Sequence, residues 1–348
     1  MHSLRGPPAA FVTIAYLTLE SATDRAPASL EDSLSRIRLL PLAGTATAAL
    51  LAGSALAADA DGTALSTLEW WVWPLMLFVV TFLLGIVAVI AGLGGGVLFV
   101  PIVGGFFPFH LDFVRGAGLM IALAGALSAG PGLLRAGMAS LRLAMPLALV
   151  GSASSIVGAL VGLALPVHVV QTGLGVTILF IVALMWTAKK SEFPNVPSAD
   201  ALSTALRIHG IYFDAGTRQE TAWHVHRTPQ GLVLFAGIGV MAGLFGLGAG
   251  WANVPVLNLL MGAPLKVSVA TSSFMLSIVD SSAAWVYLNK GAVLPMITVP
   301  SIIGIMLGAR VGVRLLTRVP ASAVRKLIIT LLLLAGTRAL LKGLGIWN

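Results

Sequence analysis

Gly92-Leu93-Gly94-Gly95-Gly96, followed by Pro101, returns in the same chain as Gly246-Leu247-Gly248-Ala249-Gly250, followed by Pro255. Both glycine starts and both prolines are separated by 154 residues (246 − 92 and 255 − 101). The same offset takes Leu111 to Leu265, Ser128 to Ser282, Gly137 to Gly291, Pro146 to Pro300, Gly158 to Gly312 and Pro166 to Pro320. A register held over such a length is an internal duplication. Glycine-dense sequence with a proline soon after does not sustain an unbroken helix. Isolated glycine clusters are read as close helix packing. Two copies in register, each with its proline, point instead to paired helix breaks at membrane depth, the mark of a transporter's binding site. Open backbone N–H groups at such breaks attract anions.

The bilayer enters through composition. Of 348 residues, 57% are hydrophobic and 10% charged, with a mean hydropathy of +0.97. A soluble domain would carry about 25% charged residues, so the sequence describes an all-α polytopic membrane protein. Cysteine is absent, which excludes disulfides, thiolate metal sites and cysteine nucleophiles. The formal charge of +8 comes without a dense basic run, so it reads as positive-inside lysine and arginine and not as a nucleic-acid surface.

Residues 1–69 divide into a polar stretch with Pro7, Pro8 and Pro27, then Arg36 and Arg38 ahead of an apolar run ending Ala55-Leu56-Ala57-Ala58. That run matches a signal peptide placed late, or an uncleaved first helix. Both alternatives put Asp59, Asp61 and Glu69 outside. Apolar segments follow at 70–91, 97–109, 114–134, 141–165 and 167–188, within a first membrane repeat spanning 70–188. Their partners fall at 231–245, 251–262, 267–288, 293–313 and 323–344, within a second repeat spanning 230–348. Several approach the about 20 residues needed to cross a bilayer, and the glycine-break segments are shorter. Arg135 and Arg142 assign one first-repeat loop to the cytoplasm, and Lys189 and Lys190 assign the linker there. In the second repeat the basic cluster is Arg314, Arg318, Arg325 and Lys326, at the opposite end of equivalent helices. The expectation is two inverted repeats of about five helical segments each, an odd number of crossings per repeat. Lys290 falls on the wrong side of this scheme.

The linker, residues 189–229, alternates polar and apolar residues from Leu206 to Tyr212, turns at Asp214-Ala215-Gly216 and runs back from Thr217 to His226. This predicts a small β-hairpin on the cytoplasmic face. His224 and His226 share one side of a strand, but without a third ligand they read as surface histidines. No metal and no cofactor is expected.

The doubled Gly-x-Gly-x-Gly with its proline, the segment Ala270-Thr271-Ser272, the Lys290-Gly291 turn and the run Gly304, Gly308, Gly312 together resemble the TauE/SafE family of sulfite and organosulfonate exporters. The resemblance covers about residues 70–344. It implies small-anion transport across the bacterial inner membrane, in the direction of export. The first repeat departs from the pattern, with Gly116-Ala117-Gly118 where the second has Ala270-Thr271-Ser272. Any site must then be asymmetric.

For holding an oxyanion the first candidates are the main-chain amides at Gly94, Gly95, Gly96, Gly248 and Gly250. Asn253, Thr271, Ser272 and Ser273 add side-chain donors, although helix hydroxyls also bond their own helix carbonyls. Arg115 and Lys266 offer charged footholds beside the two breaks, with interfacial snorkelling as the alternative. Asp280 is the acidic residue deep within a span, flanked by Ser277, Ser281 and Ser282. It is the candidate for proton coupling, against a serine-satisfied structural acid. The functional expectation is a secondary carrier of small anions in the lipid bilayer. A passive anion channel is the alternative, and a membrane enzyme ranks lower because H-E-x-x-H, G-x-S-x-G and mid-span histidines are absent. The sequence is compatible with a homo-oligomer and does not specify one.

Overall fold

The structure is a computed structural model and describes residues 71–91, 95–135, 139–187, 196, 198–214, 219–315 and 321–346. The signal-like run and the first glycines, Gly92 and Gly94, lie outside the described residues.

Among the described residues, ten main helical segments fall into two sets of five. The first set is α1 (Val72–Ala91), α2 (Gly95–Phe106), α3 (Leu111–Arg135), α4 (Leu141–Ala164) and α5 (Val167–Thr187). A short α6 (Ala201–Ala205) and the antiparallel strands β1 (His209–Asp214) and β2 (Gln219–His224) form the linker. The second set is α7 (Thr228–Phe245), α8 (Gly250–Pro255), α9 (Leu265–Asn289), α10 (Pro295–Leu315) and α11 (Ala321–Gly343). Both ends of α3 map onto α9 at the 154-residue offset (265 − 111 and 289 − 135). Helix α8 continues without a gap into a π turn, Val256–Leu260, just past Pro255, whose ring removes a backbone donor.

Local chemistry sets the ends. Ser140 caps α4, its Oγ accepting from the Leu143 N–H at 3.4 Å. Helix α7 opens with a proline in its first turn and stops at Gly246, held in the left-handed region at φ +69°. The Gly246 N–H returns to the Ala242 carbonyl at 2.9 Å.

Packing between the halves is crosswise. Helix α1 lies on α10, α7 on α4, α3 on α9 and α5 on α11. Exchanging the halves leaves this pattern unchanged, down to individual residues. A Cβ on Gly85 would meet the Ile305 carbonyl oxygen at 2.5 Å; the equivalent Gly239 would meet that of Gly151 at 2.3 Å. Gly312 abuts Ile86, and the equivalent Gly158 abuts Val240. Without water to drive helices together, close backbone contact supplies the association. Helix α2 is buried on every side, with Leu98, Phe99, Val100, Ile102 and Val103 inside the core. Leu149, Val157, Val176 and Phe180 face outward on α4 and α5. Among the described residues, five helices are long and apolar enough to cross a membrane: Leu141–Ala164, Val167–Trp186, Thr228–Phe245, Leu265–Asn289 and Pro295–Gly312.

Candidate functional site

The second glycine break meets the start of α2 at Gly96. A Cβ on Gly96 would lie 2.9 Å from the Leu247 carbonyl oxygen and 2.8 Å from that of Gly118. Gly118 on α3 in turn abuts the Gly246 carbonyl, and Gly248 abuts the Ala122 side chain one turn further along α3. Small residues on α3 thus form a wedge between the breaks. This also explains the first repeat's missing hydroxyls. Any side chain at Gly116 would strike the Ala292 carbonyl, and one at Gly118 would strike Val100 and Gly246. At the second break the glycines both pack closely and turn the chain, Gly246 and Gly248 having positive φ.

Among the described residues, several unpartnered polar side chains lie on or against the second break. Gly248, at φ +72°, faces Asp280 of α9: a Cβ there would be 3.1 Å from the Asp280 Oδ2. Asp280 is fully buried, and neither carboxylate oxygen makes a hydrogen bond of good geometry. The Ala249 backbone N–H is its polar neighbour on the break, though short of that geometry. The flanking serines do not satisfy it. Ser277 donates to the Phe274 carbonyl at 2.7 Å, Ser282 to that of Ile278 at 3.0 Å, and Ser281 to that of Ser277. Asn253, on the half-helix that follows the break, is also fully buried with both side-chain polar atoms unpartnered. So is the indole N–H of Trp251, whose ring lies edge-on to Phe180. Buried polar groups without partners are costly, and such groups on or against a helix break call for a ligand or a second conformation.

Arg115 is not a snorkelling anchor. It is 1% exposed, and its guanidinium crosses from α3 to two helix ends. Nη1 donates to the Leu244 carbonyl at 2.7 Å and to that of Gly162 at 3.2 Å; Nη2 donates to Gly162 at 3.1 Å and pairs with Asp112. Tyr287 lies beneath the guanidinium, and its hydroxyl donates to the Gly243 carbonyl at 3.0 Å. Cation and phenol together satisfy carbonyls at the C-terminal ends of α7 and α4, where positive charge is favourable. Four hydrogen bonds and a ring contact thus commit the arginine to structure. Sequence reasoning missed Tyr287 here, although Asp112 and Arg115 at i,i+3 on a helix were a visible pairing signal.

The hydroxyl candidates separate. Helix α9 begins at Leu265, so Ala270-Thr271-Ser272 lies inside it. Thr271 Oγ1 accepts from the Ser140 N–H at 3.1 Å, tying α9 to the start of α4. Ser273 donates to the Val269 carbonyl of its own helix at 3.0 Å. Ser272 is buried, and Lys266 is half-buried in the first turn of α9. Of the remaining amide candidates, Gly95 packs on Ile305 and Ile121, and Gly250 opens α8.

At the linker, Asp200 joins two elements. Its Oδ1 accepts from the Ser203 N–H and the Thr228 Oγ1, both at 2.9 Å, and its Oδ2 from the Thr228 N–H at 2.8 Å. Burial pushes its carboxyl up, but the donors of Ser203 and Thr228 outweigh burial and hold it below the usual carboxylate value. His224 Nε2 lies 3.2 Å from the Val196 carbonyl oxygen, and the His226 N–H donates to the Met261 carbonyl. Among the described residues no three histidines or acids converge as for a metal. Two open cavities of about 450 Å³ lie here, one lined by Asp200, His226, Arg227 and Gln230; neither lining includes a break residue.

Long apolar helices with short broken ones buried between them, and unpartnered polar atoms where the breaks meet, define a multi-pass membrane transporter. The family model described as Sulfite exporter TauE/SafE matches residues 77–339, and the chain belongs to that family. It is also similar to the probable membrane transporter protein YunE of Bacillus subtilis (strain 168), 23% identical over 281 residues, covering 77% of this chain and 99% of that one. No solved structure matches the chain.

Proposed function

We propose that this transporter is a secondary carrier of small anions, exporting them from the cytoplasm. The anion is held where the breaks meet, by the main-chain N–H groups around Gly95, Gly96 and Gly248–Gly250 and by Asn253. The observation that carries the reading is the pair of fully buried, unpartnered side chains, Asp280 and Asn253, at the second break. An intramembrane carboxylate of this kind marks an ion or proton pathway by default.

The halves, residues 70–188 and 230–348, are read as inverted with respect to one another. Five segments per half, basic loops at opposite helix ends and a contact pattern unchanged on exchange support this. The linker, 189–229, then lies in the cytoplasm with its hairpin, and residues 1–69 lead to the outer side. Uptake by proteoliposomes tests the function, using sulfite, sulfate, methanesulfonate and acetate with an imposed pH gradient. Accumulation of any of them above its electrochemical equilibrium is expected. Dissipation of gradients without accumulation would instead make the protein a passive anion channel.

A further inference from the structure

We propose that the Asp280 carboxylate is a tethered competitor that occupies the place of the transported anion at the second break, so that anion and proton bind together. This rests on the reading of the breaks as the anion site.

The argument starts from what the carboxylate touches. Its Oδ2 lies against Gly248, a residue whose positive φ turns the chain between α7 and α8, and the Ala249 N–H is beside it. A planar carboxyl group therefore stands beside the Ala249 N–H, a backbone donor of the kind that an oxyanion would use. Among the described residues neither a cation nor a side-chain donor bonds it. Asp112 pairs with His110 and with Arg115. The elements packed on α9 carry few ionisable groups: Asp112, Arg115 and Arg135 on α3, Arg142 on α4, none on α7 or α8. Of these, Arg115 is engaged with Asp112 and helix carbonyls. On α9 itself Tyr287 belongs to that cluster, and Lys266 lies in the first turn.

The first half has no counterpart. The positions equivalent to Trp251, Asn253 and Asp280 are Val97, Phe99 and Ala126 (each 154 lower). One molecule thus has one such site, and its own side chain fills it. Two negative charges a few ångströms apart in a dry interior repel strongly. The external anion enters once Asp280 has taken a proton from water and its neutral side chain has withdrawn. Release of the anion lets the carboxylate lose the proton and return.

Binding of sulfate, methanesulfonate and chloride to the purified full-length protein tests this, since all three keep their charge from about pH 5.5 to 8. For the wild type, Kd should rise by up to about tenfold per pH unit, with uptake of about one proton per anion bound. Asp280→Asn removes the competing charge while keeping the shape. It should bind at least about tenfold tighter than wild type at the top of that pH range, with a flat pH profile. Weaker binding by Asp280→Asn, or a pH profile like that of the wild type, overturns the proposal. Should that variant fail to fold, proton uptake by the wild type decides alone, read by calorimetry in buffers of different ionisation enthalpy. Anion binding without proton uptake sinks the competition and leaves the carrier standing. No binding and no flux of any anion sinks both.

Discussion

Gly239→Ala and Gly85→Ala, made separately, strike the same interface in its two copies. A Cβ on Gly239 would lie 2.3 Å from the Gly151 carbonyl oxygen and 2.5 Å from Ser154 Oγ; on Gly85 it would lie 2.5 Å from the Ile305 carbonyl oxygen. Ordinary contact begins at 3.4 Å, so the shortfalls are 1.1 Å and 0.9 Å and involve backbone atoms in both cases. The helices must part by that much, and overfilling a packed interface costs about 1–3 kcal/mol. Gly237, two residues earlier on the same helix, has nothing within 4 Å of its Cβ position. Alanine there should be neutral or stabilise by up to about 1 kcal/mol, from helix propensity. Unfolding of the detergent-solubilised protein by SDS titration, followed by circular dichroism, reads all three. Equal behaviour of Gly239→Ala and Gly237→Ala would refute the crosswise packing. A large loss at Gly239 with none at Gly85 would refute the equivalence of the two interfaces.

Tyr287→Phe removes the bond to the Gly243 carbonyl while keeping the ring under Arg115, and should cost about 1 kcal/mol in the same titration. Arg115→Met strips the α7 and α4 ends of their cation; a loss of about 3 kcal/mol is expected, outweighing that of Tyr287→Phe. Thr271→Val leaves the Ser140 N–H unpaired and should cost about 1–3 kcal/mol, with Thr271→Ser restoring stability. Asp200→Ala should speed hydrogen exchange in the first turn of α7 at neutral pH, by an amount corresponding to about 1 kcal/mol. Because the folded-state carboxyl is held below its usual value, this contribution is present above the unfolded value, about 3.9. It is lost as pH falls through the lower folded value, so exchange in the wild type and the variant should converge once pH is below that value.

Much of the architecture was legible because one offset, 154, related the five main helices of one half to those of the other. The apolar segments read at 114–134 and 267–288 became helices Leu111–Arg135 and Leu265–Asn289, and the linker hairpin formed as its alternation implied. Asp280 stood out because a lone acid in apolar sequence is expensive wherever it lies. What composition and periodicity could not convey was which helices face one another across the halves. That partnership turned Arg115 from a surface cation into a buried clamp and Thr271 from a donor into an acceptor for the Ser140 N–H. It also explains Gly116 and Gly118, whose sequence reads as missing hydroxyls and whose surroundings leave no room for any side chain.

The crosswise partnership of α1 with α10 and of α4 with α7 has a consequence for biosynthesis. Gly85 cannot find Ile305 until the ribosome has translated most of the message. Until then the notched face of α1 must rest against lipid or the insertion machinery. Premature termination after α5 would strand those faces without mates, and quality-control proteases would meet a fragment unable to mature.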